Sequence, residues 1–208
     1  MRLLVGSYPH QVAAYVGGGN YVRYFGMLVT PRDRKTPEKA VEVGAAWAID
    51  NFAYTDWRVR PFINLLNDYE KIPGCLWCAA PDVPKDAAAT LQKFPVWQEI
   101  IRSYGYPVAL VTQDGMQSED VPWSLVDCLF IAGSDEWRFG TPGIALIQEA
   151  KRLGKQIHIG RVNSIKRLRA CQALGADTVD GSGYAKFSKL CLEHLPALQK
   201  STLSMQFT

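Results

Sequence analysis

The sequence lacks any apolar run approaching the roughly 20 residues that a membrane-spanning helix needs. Its N-terminus has no signal-peptide pattern. Of the five cysteines, Cys75 and Cys78 form a C-x-x-C pair, but no second pair or nearby histidine completes a zinc site. We therefore expect a cytoplasmic protein with buried thiols, without a metal, a cofactor or a membrane partner.

The composition is that of a globular domain. The chain has 208 residues, of which 48% are hydrophobic and 21% are charged, values typical of a single domain with a substantial core. The formal net charge of +3 permits a nucleic-acid partner without requiring one. We expect one domain over residues 1–199, followed by a C-terminal tail over residues 200–208.

Short apolar segments alternate with helical patterns along the chain. The predicted strands are Arg2–Ser7, Phe25–Thr30, Ala45–Asp50, Cys75–Ala80, Val108–Thr112, Val126–Ala132, a segment through Ile157 and Ile159, and Ala176–Val179. Near-continuous apolar strands separated by helices predict a parallel sheet covered on both faces. A doubly wound open sheet is the competing fold, but no G-x-G-x-x-G follows the first strand. Eight units favour a compact (β/α)8 TIM-type barrel of the α/β class.

Polar residues follow these strands where a barrel would bring them to one mouth. They are Asp50-Asn51, Asp82, Gln113-Asp114, Gly133-Ser134, Gly160-Arg161 and Asp180, after the third to the eighth strand. A single Asp or Asn commonly starts a turn. Three aspartates and a glutamine at equivalent positions of separate units instead predict an active site.

The residue types at this mouth suit a glycosidic bond in a purine nucleotide. One carboxylate can act as the nucleophile while another carries a proton. An aspartate beside an amide can bind a guanine-like edge, because the carboxylate accepts from N–H while the amide serves carbonyl and amine. After the seventh strand, Ser164 is the expected N-cap of a helix that ends near Gly175. Its residues Lys166, Arg167 and Arg169 either contact phosphate or form a solvated face.

The order of these motifs resembles the tRNA-guanine transglycosylase superfamily, and in particular its short DpdA-like branch, which places 7-deazaguanine bases in DNA. DNFAY at residues 50–54 is similar to the family's D-[SN]-G-[AG]-F segment, with Phe52 at the glycine position. VTQDG at residues 111–115 resembles V-Q-G-G. HIGR at residues 158–161 resembles M-G-V-G, with Arg161 at the last glycine.

This resemblance implies base exchange through a covalent intermediate. Asp180 would attack C1′ and Asp50 would carry the proton while guanine leaves and a 7-deazaguanine base enters. The implied substrate-binding residues are Asn51, Asp82 as the base holder, Gln113 as the base reader, Gly133 and Ser134 through their backbone, and Arg161 toward a phosphate or a carboxylate. Lys166, Arg167 and Arg169 would contact nucleic acid.

The resemblance also bears on the partner. Members that act on tRNA carry a C-x-C-x-x-C…H zinc module after the eighth strand, and no such module follows Asp180. DNA is therefore expected rather than tRNA, in a bacterial or phage-infected cell. A homodimer would offer a long duplex more surface than one small barrel. The alternatives are a non-catalytic nucleic-acid-binding subunit, a hydrolase (N-glycosidase) that releases the base to water, and an unrelated phosphate-binding barrel enzyme.

Overall fold

A computed structural model of the chain describes residues 1–6, 20–32, 37–186, 189–190 and 193–198. Eight parallel strands are hydrogen-bonded in chain order, and the eighth pairs with the first, so that the sheet closes into a barrel. The strands are β1 (Arg2–Val5), β2 (Phe25–Val29), β3 (Ala46–Ile49), β4 (Cys75–Ala79), β5 (Val108–Val111), β6 (Cys128–Ile131), β7 (Gln156–Ile159) and β8 (Thr178–Asp180).

Helices connect the strands around the outside of the barrel. They are α1 (Glu38–Glu42), α2 (Ala53–Asp56), α3 (Val59–Tyr69), α4 (Ala87–Ser103), α5 (Asp135–Arg138), α6 (Thr141–Arg152), α7 (Ile165–Leu174) and α8 (Ser182–Lys186). Residues 193–198 are also helical. Three 3-10 turns lie at Asn20–Tyr24, Ser118–Asp120 and Trp123–Leu125.

The strands are apolar on both faces because one face packs on the helices and the other fills the barrel. In β1, Leu3 and Val5 belong to the large core cluster under the helices, whereas Leu4 belongs to a second, inner cluster. The inner cluster is built around Trp77, which is completely buried, together with small residues such as Ala48 and Ala109. Inside the barrel the indole ring of Trp77 packs against the rings of Phe130 and His158.

The caps explain where the helices begin and end. The side chain of Ser164 accepts a hydrogen bond from the backbone N–H of Arg167 at the start of α7. Gly175 closes the same helix in a left-handed conformation with φ of 80°, which a glycine adopts without steric cost. Asp86 caps α4 by accepting from Ala89 N at 2.9 Å. Both ends of the helix predicted after the seventh strand are thus confirmed.

The predicted (β/α)8 barrel is confirmed, with strand bounds that lie within two residues of the expected ones. The tail predicted at residues 200–208 lies outside the described residues. The described cysteines Cys75, Cys78, Cys128 and Cys171 are free thiols, and three of them are buried. Among the described helices none has the length and apolar character required to cross a membrane.

Candidate active site

A cavity of about 740 Å³ opens at the carboxyl ends of the strands. This is the face where barrels of this type place reactive groups. Seven of the predicted catalytic and substrate-binding residues line it: Asp50, Asn51, Asp82, Gln113, Gly133, Arg161 and Asp180. These seven residues are therefore gathered in one pocket, although they are spread over 131 positions of the chain, from 50 to 180.

Asp50 follows β3 and lies partly buried in the cavity wall. Burial raises its pKa from the usual value to about 7, against the lowering effect of a hydrogen bond from the backbone N–H of Phe52 at 2.6 Å. The nearby charges of Asp180 and Asp82 raise it further. A carboxyl group of this pKa can both give and take a proton near neutrality.

Asp82 is held between two amide side chains. Its Oδ1 accepts from Asn51 Nδ2 at 2.9 Å, and its Oδ2 accepts from Gln113 Nε2 at 2.7 Å. The same Asn51 amide also donates to Ala80 O, and Gln113 Oε1 accepts from Lys85 N. Burial raises the pKa of Asp82, while the hydrogen bond from Asn51 opposes that change. The cluster is rigid, polar and aligned along one wall of the cavity.

Asp180 ends β8 and is held through one of its two oxygens. Its Oδ1 accepts from the backbone N–H of Arg161 at 3.0 Å. His158 Nε2 lies 3.3 Å from the same oxygen. Oδ2 accepts no hydrogen bond from the described part of the chain and is left for a ligand in the cavity.

Arg161 crosses the rim of the cavity. Its φ of 57° places it in the left-handed region, and its guanidinium donates to Gly133 O at 2.5 Å. The guanidinium also lies over the ring of Tyr54 at 5.5 Å, and that ring is 70% exposed. Together with Arg32 and Lys85 it gives the mouth a positive, partly aromatic rim suited to a nucleotide's phosphate and base.

Gly133 and Ser134 take different positions. Gly133 lines the cavity with φ of 91°, and a Cβ there would lie 2.2 Å from Asp114 Oδ1, so the backbone approach requires glycine. Ser134 does not line the cavity. Its backbone N–H donates to Asp114 Oδ1, and its hydroxyl caps α5 by accepting from Trp137 N. Ser134 therefore stabilises the loop after β6, and its hydroxyl is already engaged in capping α5.

The predicted nucleic-acid contacts lie behind the mouth on α7. Lys166 and Arg169 are exposed. Arg167 is partly buried and pairs with Asp135, which also binds the buried guanidinium of Arg138. Arg167 is therefore tied to α5, whereas Lys166 and Arg169 are available to a polyanion.

Three residues at the site had no assigned role in the sequence: His158, Arg138 and Lys85. Strand alternation is the signal that places His158 on the inward face of β7, where it pairs in register with Thr178 and packs against Trp77. Arg138 lines the cavity from α5 and donates to Gly160 O. Nothing in the sequence pattern distinguishes the buried Arg138 or the exposed Lys85 from the other lysines and arginines of the chain.

Chemically, the cavity holds three carboxyl groups, two amides and a cationic rim. No group of three or more His, Cys, Asp and Glu side chains is placed to hold a metal ion within the described ranges. The arrangement combines a proton carrier, a carboxylate with one free oxygen, and donors and acceptors for a planar polar ligand.

No protein-family model matches the sequence, and no curated protein matches it. Similar solved structures include the BexX/CysO complex of Amycolatopsis orientalis, with 16% identity, a TM-score of 0.58 and coverage of 98% of this chain and 88% of that chain. The native KDPGal structure has 13% identity and a TM-score of 0.56, with coverage of 97% of this chain and 93% of that chain. A mandelate oxidase variant with a monooxide FMN adduct has 16% identity and a TM-score of 0.52, with coverage of 95% of this chain and 74% of that chain. These likenesses show the TIM-barrel fold alone.

Proposed function

We propose that this protein is an enzyme, a nucleic-acid guanine transglycosylase that exchanges guanine for a 7-deazaguanine base, with DNA as its polymer. The observation that carries the proposal is the pairing of two different carboxyl groups in one cavity. Asp50 has a pKa of about 7, and Asp180 is fixed through a single oxygen. Different environments for two carboxyl groups are how enzymes separate a proton carrier from a nucleophile.

The chemistry follows from these two groups. Asp180 Oδ2 attacks C1′ of the nucleotide, the C1′–N9 bond breaks, and guanine leaves with the proton that Asp50 supplies. The incoming 7-deazaguanine base returns its N9 proton to Asp50 and attacks C1′, and the bond from Asp180 to C1′ breaks. Two displacements retain the configuration at C1′ and leave the enzyme unchanged.

The amide and carboxylate cluster supports recognition of a purine-like base. Asp82 offers acceptor oxygens, and Gln113 has one N–H beyond the one it gives to Asp82. The cavity volume of about 740 Å³ lies within the range of sites that enclose a nucleoside-sized ligand. A base in a duplex must leave the stack to enter such a pocket, and the cationic rim of Arg32, Lys85 and Arg161 suits the flanking phosphates.

The backbone at two motif positions supports the resemblance to the transglycosylase family. Phe52 stands where the first family motif has glycine, and its φ is 62°. Arg161 stands where another motif ends in glycine, and its φ is 57°. Positive φ is the conformation for which glycine is normally selected. Both loops therefore have a backbone shape suited to glycine, although this chain has Phe52 and Arg161 at these positions.

The experiment is incubation with radiolabelled guanine and, in parallel, duplex DNA, single-stranded DNA and tRNA. We expect label in DNA, and none with Asp180→Asn, whose folding is checked by circular dichroism. Exchange at a near wild-type rate in Asp180→Asn would remove Asp180 as the nucleophile. Absence of label in all three polymers would remove the transglycosylase proposal.

A hydrolase is the second candidate, because a carboxyl group of pKa about 7 can also deprotonate water. Free guanine released from DNA in the absence of an added base would favour it. Binding of DNA without exchange and without release would indicate a non-catalytic subunit instead.

A further inference from the structure

His158 is a buried polar residue that the proposed reaction does not yet use. It lies at the centre of β7 with no solvent exposure. Its ring stands 4.6 Å from the ring of Trp77 and 4.3 Å from that of Phe130, measured between centroids. A polar side chain in such a setting is costly unless both ring nitrogens have partners.

The two ring nitrogens face different partners. Nδ1 lies 2.9 Å from the hydroxyl of Thr178, its register neighbour on β8. Nε2 has no partner of good hydrogen-bond geometry among the described residues, and Asp180 Oδ1 lies 3.3 Å from it. A long contact to a catalytic group can shorten in the complex with substrate.

The neighbours favour one tautomer. If Nε2 lacked its proton, its lone pair would face a carboxylate oxygen at 3.3 Å, which is repulsive. With the proton on Nε2, the ring donates to Asp180, and Nδ1 accepts from the Thr178 hydroxyl, which can serve either role. The partner of one ring nitrogen thus sets which nitrogen carries the proton.

The backbone N–H of Arg161 donates to Oδ1 of Asp180, and Nε2 of His158 lies close to the same oxygen. Gly160 permits this close packing, because a Cβ at that position would lie 2.8 Å from the Phe130 ring and 3.2 Å from Asp180 Oδ1. The second oxygen of Asp180 is left for the substrate.

We propose that His158 is a positioning residue that holds Oδ1 of Asp180, so that Oδ2 is the oxygen that attacks C1′. This inference rests on the proposed transglycosylase function. A donor on Oδ1 also stabilises the free carboxylate more than the ester, because the ester spreads less negative charge onto that oxygen. His158 therefore promotes departure of Asp180 when the incoming base attacks.

The first test is nitrogen-15 NMR of histidine-labelled protein, which has only three histidines in its sequence. His158→Gln assigns the resonance. We expect a proton on Nε2, with a chemical shift that changes in Asp180→Asn, and a weaker preference for that tautomer in Thr178→Val. An unprotonated Nε2, or an Nε2–H resonance indifferent to Asp180→Asn, would overturn the inference whether or not the protein exchanges bases.

The second test compares His158→Phe, which keeps an aromatic ring against Trp77, with His158→Gln, which keeps a donor. In His158→Phe we expect base exchange to slow by about 10- to 100-fold, the range for a lost hydrogen bond to a charged group. In the same variant, the share of protein trapped as the DNA adduct on a denaturing gel should rise, and the affinity for guanine should not change. His158→Gln should recover part of the rate of base exchange.

The two proposals fail in different ways. Wild-type exchange combined with unchanged exchange and adduct levels in His158→Phe would refute the role of His158 alone. A parallel fall of adduct, affinity and folded protein would show that His158 acts only in packing. Lack of exchange by the wild type would refute the transglycosylase function, while the NMR result would still decide the contact between His158 and Asp180.

Discussion

Replacing Asp50 by asparagine should stabilise the protein in a manner that depends on pH. The pKa of Asp50 is raised from the ordinary value of 3.8 to about 7, chiefly by burial. The folded state therefore binds this proton over a pH range in which the unfolded chain has released it. Linkage then requires that stability fall as pH rises from about 4 to about 7 and stay level above. Asparagine has no charge and removes this cost.

The size of the effect follows from the shift. Each pKa unit corresponds to about 1.4 kcal/mol, so a shift of about three units corresponds to about 4 kcal/mol in full. Between pH 5 and pH 8, stability changes only up to the folded-state pKa of about 7, which is about two pH units and corresponds to about 3 kcal/mol. Solvent in the cavity reduces this free-energy difference, because part of the surface of Asp50 is exposed.

Urea unfolding of the wild type and of Asp50→Asn at pH 5 and pH 8 measures the difference, since titrating groups that do not interact with Asp50 contribute equally to both proteins. We expect the gain in unfolding free energy from the substitution to be larger at pH 8 by up to about 3 kcal/mol. Asp56→Asn is the control for the loss of an exposed carboxyl group, because Asp56 lies in the next helix, α2, where it pairs with Arg58. An equal gain from Asp50→Asn at both pH values would refute the raised pKa, and with it the assignment of Asp50 as proton carrier.

Three further predictions concern the loop, the base and the polymer. Phe52→Gly should be more stable than Phe52→Ala by about 1 kcal/mol in urea unfolding, because only glycine adopts φ near 62° without strain; equal stabilities would contradict this. Asp82→Ala should weaken binding of 7-deazaguanine more than binding of DNA in separate titrations, and equal losses would defeat a base-holding role. Lys166→Gln and Arg169→Gln should each reduce the salt slope of DNA affinity by about one, and an unchanged slope would place DNA elsewhere.

The barrel could be predicted from the sequence because its cause is local. Short apolar segments bounded by turn residues and separated by helical patterns leave few alternatives to a parallel sheet. The mouth followed from the barrel, since the residue after each strand must face the same end. Asp50, Asp82 and Asp180 could be grouped in this way without knowledge of any contact between them.

The hydrogen-bond partners inside the mouth could not be predicted. That Asp82 lies between Asn51 and Gln113 depends on the twist of the barrel and on side-chain rotamers, and no spacing in the sequence encodes these. The short helices α2 and α5 were missed for a related reason. Each spans four residues, too few for a periodic pattern, and α5 is recognisable only through its capping serine, Ser134.

Three residues other than glycine at the mouth are left-handed, Phe52, Lys85 and Arg161, and two of them contact a catalytic carboxyl group. Phe52 and Arg161 each occupy a conformation that costs roughly 1–2 kcal/mol for a residue with a Cβ. Each also places a backbone N–H on a carboxylate oxygen, that of Phe52 on Asp50 and that of Arg161 on Asp180. Strain of this kind persists where the surrounding structure fixes the backbone, and functional sites are where it collects. The strained backbone therefore orients the same two carboxyl groups on which the proposed reaction depends.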